Sequence, residues 1–151
     1  MKIEQIYTGC LAQGAYYIVS EKEAAIIDPL RETKPYIDRL EKDGVKLKYI
    51  FETHFHADFV SGHLDLSKKT GAPIVYGPTA EPDFEAIIAE DNQVFELGDI
   101  KIKVLHTPGH TMESSTFLLI DEHGKETAIF SGDTLFLGDV GRPDLAQKAA
   151  H

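Results

Sequence analysis

The sequence predicts a mixed α/β domain of the α+β kind, and three observations carry that prediction. Short β-prone runs alternate with segments of helical spacing between positions 24 and 76. Further on, Ile100, Ile102 and Val104 alternate with Lys101 and Lys103, the pattern of a strand with one buried and one wet face. At 151 residues and 42% hydrophobic content, the chain is long enough for one domain with a real core and too short for two ordinary ones. A single domain over residues 1–151 is therefore expected.

In chain order, residues 3–7, 16–19 and 24–27 read as strands, divided by Gly9, Gly14 and the polar run Ser20-Glu21-Lys22-Glu23. They suggest an antiparallel start. After Asp28-Pro29, the stretch Pro35-Tyr36-Ile37-Asp38-Arg39-Leu40 has helical spacing, with Thr33 as N-cap and Gly44 as stop. Residues 45–51 return to strand. A helix from about Asp58 to Thr70-Gly71 and a short buried strand over 73–76 then complete a β-α-β-α-β run. The acidic segment 81–91 reads as a surface loop or a weak helix around Phe84, Ile87 and Ile88. Residues 93–97 and 100–105 form a hairpin about Gly98-Asp99, and 116–120 and 128–130 pair around Glu122-His123-Gly124-Lys125. The tail from Gly138 to Leu145 is turn-rich, with Pro143 placed to open a last short helix.

Charge and composition narrow the functional classes. Fifteen basic against twenty-five acidic side chains give a net charge of −10, which disfavours nucleic-acid binding and docking on anionic lipid. No apolar run approaches the length of a membrane span. The single cysteine, Cys10, has no internal disulfide partner, and Met1-Lys2-Ile3-Glu4-Gln5 does not open a signal peptide, so a cytoplasmic protein is expected.

The chemistry is expected at Glu52-Thr53-His54-Phe55-His56-Ala57-Asp58-Phe59, directly after the strand over 45–51. His54, His56 and Asp58 alternate with Phe55, Ala57 and Phe59, so an extended backbone would set three metal-ligand types on one side. The plain alternative is a helix N-cap at Asp58 beside solvated histidines. Two further strand ends carry the same residue types, His110 after Pro108-Gly109 and Asp133 after Ser131-Gly132. Each alone reads as a turn. A sheet that gathered the three ends would assemble an imidazole and carboxylate metal site.

Together, Thr53-His54-Phe55-His56-Ala57-Asp58, Thr107-Pro108-Gly109-His110-Thr111 and Ser131-Gly132-Asp133-Thr134 resemble the metallo-β-lactamase superfamily in order and approximate spacing. More narrowly, the run from His54 to His63 and the run from Gly138 to Leu145 resemble persulfide dioxygenases, particularly those fused to rhodanese domains. The resemblance implies an αββα sandwich with the metal at one edge of two packed sheets. It also implies one Fe(II) held by His54, His110 and Asp133, a facial triad with open positions for oxygen and a thiol-derived substrate. The expected reaction is oxidation of a small anionic thiol persulfide, such as that of glutathione or coenzyme A, to sulfite and the free thiol.

One departure bears on the metal count. Superfamily hydrolases with two zinc ions usually carry His directly after the Asp of the first motif, where this chain has Phe59, a side chain that cannot coordinate. One metal is favoured, and His56 and Asp58 are then expected to orient ligands or hold water. Arg142 reads either as a substrate contact pairing with a carboxylate or phosphate, or as a surface arginine beside Asp139 and Asp144. Arg31 is a weaker candidate of the same kind, and Asp28 is expected to fix a loop. His63, His123, His151 and Cys10 read as ordinary surface, packing or buried positions, and His106, before the Pro-Gly turn, reads either as an ordinary strand-end histidine or as a group that orients a metal ligand.

The resemblance also implies more chain than is present: further strands after the position of Asp133, and in some relatives a rhodanese domain, which is absent here. A truncated product, or a neighbouring copy completing the fold as a homo-oligomer, is expected on the ground that open sheet edges and exposed apolar faces cost free energy. Two other readings stand beside the dioxygenase. One is a zinc hydrolase resembling glyoxalase II or a thioesterase, against which Phe59 speaks, and the other is an inactive metal-binding fragment.

Overall fold

Among the described residues, two β-sheets face each other across an apolar core, and two helices cover the outer face of one of them. The computed structural model describes residues 1–6, 15–29, 33–53, 63–77, 86–106, 115–131 and 134–137. The first sheet comprises β1 (Lys2–Ile6), β2 (Ala15–Ser20), β3 (Glu23–Ile27), β4 (Lys46–Phe51), β5 (Ile74–Tyr76) and β6 (Ile87–Ile88), in that spatial order. Its first three strands are antiparallel, and β3 to β6 run parallel. Parallel neighbours need crossovers, and α1 (Lys34–Asp43) and α2 (His63–Thr70) supply them between β3, β4 and β5. The second sheet is wholly antiparallel, in the order β11-β10-β9-β8-β7, with β7 (Val94–Leu97), β8 (Ile100–His106), β9 (Ser115–Ile120), β10 (Glu126–Ser131) and β11 (Thr134–Leu137).

Period-two alternation divides the apolar residues between two cores. Tyr16, Ile18, Ile27 and Phe51 of the first sheet pack against Phe95, Ile102, Val104, Phe117 and Phe130 of the second. Their neighbours Tyr17, Ile26 and Ile50 point the other way and meet Tyr36 and Leu40 of α1 and Leu66 of α2. Lys101 and Lys103 stay on the wet side of β8, as their alternation with buried Ile100, Ile102 and Val104 predicts.

Local signals account for most element ends. Gly44 closes α1 in the left-handed region (φ 64°), where glycine carries no Cβ penalty. Gly98 turns the β7–β8 hairpin, and an added Cβ there would lie 2.4 Å from the Ser20 carbonyl oxygen. The hairpin tip is clasped to the β2–β3 turn: Gly98 N–H donates to Glu23 (2.7 Å), Asp99 N–H to Ser20 Oγ (3.1 Å), and the Ser20 hydroxyl to the Asp99 carboxylate.

Several expectations need correction or fall outside the described residues. Thr33 occupies the N-cap of α1, but its hydroxyl makes no cap hydrogen bond and instead accepts one from Lys69 Nζ (2.8 Å). The acidic segment contains strand β6 at Ile87–Ile88, because pairing alongside β5 satisfies its backbone where a loop would need water. β11 pairs antiparallel with β10, with Ser131 opposite Thr134, and is too short to stand out in the sequence. α2 is described from His63, so the start proposed at Asp58 lies outside the described residues, as does the short helix at Pro143. Among the described residues no helix is long and apolar enough to cross a membrane.

Candidate active site

Sheet registers bring the ends of several strands to one edge of the sandwich. Ile27, Phe51 and Val75 are in register across β3, β4 and β5, so these parallel strands finish together. In the second sheet His106 pairs with Ser115, Thr116 with Ser131 and Ser131 with Thr134, so β8 and β10 end where β9 and β11 begin. A hydrogen bond joins the two sheets at this edge, from Ser115 N–H to the Thr53 carbonyl (2.8 Å). The described residues Thr53, His106 and Ser131, which directly precede the sequence-predicted donors, therefore lie at one edge. In the sequence, His54, His56 and Asp58 follow Thr53, His110 follows His106 and Asp133 follows Ser131. These five donors, with Phe59 and Arg142, lie outside the described residues, and among the described residues no three His, Cys, Asp or Glu side chains group to hold a metal.

What the structure does describe is the frame beneath them. Asp28 ends β3 in the left-handed region (φ 54°), a conformation that aspartate tolerates better than most side chains. Its N–H donates to the Phe51 carbonyl (2.8 Å), and its carboxylate accepts from Thr53 N–H (2.8 Å) and Thr53 Oγ1 (2.6 Å). The residue directly before His54 is thus held by three hydrogen bonds, the third from Ser115, and Asp28 fixes a loop as the sequence suggests. Beside it Glu52 is fully buried. Burial, and after it the neighbouring Asp28 charge and a hydrogen bond with Asp28, raise the Glu52 carboxyl well above its ordinary pKa.

Sequence reasoning placed Glu52 and His106 near this edge without assigning Glu52 a role, and missed Ser115. Ser115 is buried, and a Cβ added at Gly77 would lie 1.6 Å from its Oγ, so a bare glycine at the end of β5 is what lets the two sheets close here. His106 N–H donates to the Asp91 carboxylate (2.9 Å), which anchors the end of β8. Its Nδ1 is buried, and neither that atom nor Ser115 Oγ has a hydrogen-bond partner among the described residues. A polar residue at the last step of an otherwise apolar alternation is the one sequence signal that points to either.

A known family model, Metallo-beta-lactamase superfamily, matches this chain over residues 8–151. The chain belongs to the metallo-β-lactamase superfamily. Within it, a metallo-β-lactamase structure from Staphylococcus aureus superposes with a TM-score of 0.79 at 39% identity, covering 99% of this chain and 48% of its own. A structure of ETHE1 from Myxococcus xanthus superposes less closely, with a TM-score of 0.71 at 26% identity, covering 92% of this chain and 57% of its own. Curated superfamily relatives 32 to 38% identical are named hydroxyacylglutathione hydrolase. The one from Pelagibacter ubique is 34% identical over 139 residues, 88% of this chain and 56% of its own length. The chain spans about half the length of the curated relatives it matches.

These relatives overturn the expectation of a persulfide dioxygenase. Their names describe hydrolases, and nothing in them supports iron or oxygen chemistry. The physical reason is that imidazole and carboxylate donors at these positions serve more than one chemistry on this fold.

Proposed function

We propose that this chain carries the metal site of a thioester hydrolase of the glyoxalase II kind, acting on a hydroxyacyl thioester of glutathione. The observation that carries the reading is the shared name of the curated relatives, hydroxyacylglutathione hydrolase, at 32 to 38% identity. The proposed ligands are His54, His110 and Asp133, with His56 and Asp58 orienting them, and the proposed metal is zinc. Imidazole and carboxylate donors suit zinc, and the meeting of the preceding strand ends at one edge supports a shared site. Phe59 offers no donor, which supports a single ion. When bound, zinc lowers the pKa of a water and polarises a carbonyl. The chain's own part is to fix donor spacing, which Asp28 supports through Thr53, and to orient the substrate, for which Arg142 offers a guanidinium to a glutathione carboxylate. The cytoplasm, which holds glutathione reduced, is the proposed setting.

The test is metal analysis of the purified chain together with thiol release from a hydroxyacylglutathione. We expect about one zinc per chain, hydrolysis that a chelator removes and zinc restores, and loss of both metal and activity in His110→Ala. A zinc-loaded chain that left the thioester intact would overturn the reading.

A further inference from the structure

β7 ends the strand order of the second sheet, so one of its two hydrogen-bonding edges has no neighbouring strand among the described residues. In an antiparallel pair, alternate residues turn both N–H and C=O towards the partner strand. Gln93 turns towards β8, where its carbonyl accepts from Val104 N–H (2.8 Å). By alternation Phe95 and Leu97 do the same, and the backbone groups of Val94 and Glu96 point away from the sheet. Lys48 Nζ donates to the Glu96 carbonyl (3.0 Å), while the outward groups of Val94 have no hydrogen-bond partner among the described residues.

The surroundings of this edge combine apolar surface with positive charge. An open groove of about 670 Å³ lies against it, lined by Lys48, Lys101 and Lys103, by Glu96, and by the apolar Tyr49, Phe95 and Val94. Val94 is 45% exposed, whereas Phe95 and Leu97 on the same strand are buried. Neither Lys101 nor Lys103 has an ion pair among the described residues. Three cations against one anion reverse, in this groove, the sign of a chain whose net charge is −10. Lysines beside an edge strand discourage self-pairing, because two copies meeting at β7 would bring the three lysines of each together. The same lysines favour an acidic strand.

We propose that β7 is a docking edge for an extended acidic segment of another protein, which joins the second sheet as a further strand. Its backbone pairs with the outward groups of Val94 and Glu96. Strand alternation then sets its acidic side chains on the face of Lys101 and Lys103, and apolar ones on the side of Phe95 and Tyr49. A carbonyl oxygen has two lone pairs, so the Lys48 contact and the new strand are compatible at Glu96. The inference is independent of the metal reading, since the groove involves none of the proposed ligands.

The experiment titrates the blocked peptide acetyl-Glu-Val-Glu-Val-Glu-amide, and its counterpart with Lys for every Glu, into the full chain at low salt. Amide hydrogen exchange and the melting temperature are followed alongside. The Glu peptide should bind, slow exchange at the Val94 and Glu96 N–H groups, and weaken as salt is raised, while the Lys peptide should not bind. The double variant Lys101→Glu with Lys103→Glu should bind the Glu peptide about 5- to 30-fold more weakly at an unchanged melting temperature. Val94→Pro, which removes an outward donor and leaves the β7–β8 ladder intact, should weaken it about 3- to 10-fold. No binding of the Glu peptide to wild type, equal binding of both peptides, or undiminished binding by the double variant would overturn the proposal. A wild-type dimer that Val94→Pro dissociates would also overturn it, because a second copy would then be the occupant.

Discussion

Asp28 and Glu52 lie beside Thr53, the last described residue before the candidate ligands, and their chemistry makes opposite demands on the solvent. Asp28 accepts two hydrogen bonds from Thr53 as a carboxylate. Asp28→Ala removes both, at about 1.5–3 kcal/mol for each hydrogen bond to a charged group, and the expected loss of about 2–5 kcal/mol is read from urea unfolding. Glu52 is the reverse case, since its raised pKa means that the folded state keeps a proton the unfolded chain releases above about pH 4.3. The native state then binds more protons than the unfolded one. Its contribution to stability is present below that pH and is lost as pH rises towards the raised value, at up to about 1.4 kcal/mol per pH unit. Glu52→Gln keeps a donor for Asp28 and removes the titration. It should be more stable than wild type at neutral pH with a flatter profile, measured as urea midpoints at pH 5 and pH 8. An unchanged slope would mean that another group sets it.

At the scale of elements, the turns divide into those limited by backbone conformation and those limited by contact. Gly44 and Gly98 both have positive φ, but an added Cβ meets nothing within 4 Å at Gly44 and the Ser20 backbone oxygen at 2.4 Å at Gly98. Gly44→Ala should cost about 1–2 kcal/mol, the penalty of a left-handed residue alone. Gly98→Ala adds a clash with backbone that cannot rotate away, and the β7–β8 tip must part from the β2–β3 turn. Thermal unfolding should show the larger drop for Gly98→Ala, and equal drops would show that the clasp gives freely. β1 is stapled to α1 by side chains: Arg39 pairs with Glu4 and lies over the Tyr17 ring, and the Tyr17 hydroxyl donates to Asp43 (2.9 Å). Burial first, and then Asp43, raises the pKa of that hydroxyl, so it stays a donor across the usual range.

For the molecule as a whole, an aromatic seam locks the two sheets and reaches the end of β4, the strand that precedes the candidate ligands in the sequence. Phe51 meets Phe117 with ring centroids 5.0 Å apart and Phe95 at 5.6 Å. Phe51 is fully buried and is the last residue of β4, three positions before His54. Phe51→Ala should cost about 3–5 kcal/mol of stability. It should also weaken zinc binding, because the strand end and the sheet carrying Ser115 lose their common support. Denaturant unfolding and chelator competition on the same preparation check both halves. A large stability loss with zinc affinity unchanged would show that the site edge is held independently of the core.

The chain's own pattern determined a good deal. Alternation in Ile100-Lys101-Ile102-Lys103-Val104 and helical spacing after Pro35 are local properties, and β8 and α1 formed where those periods placed them. The donor types at His54, His110 and Asp133 are also legible, since residue identity fixes which metals they suit, and so is the superfamily. What a motif does not carry is the reaction, because the same donors support several chemistries on one fold. Tertiary structure alone decided the rest. That Thr53 meets Ser115, that Gly77 makes room for a hydroxyl 38 positions away, and that Glu52 is sealed beside Asp28 follow from sheet order and register. These are contacts between residues distant in sequence, and no local period encodes them.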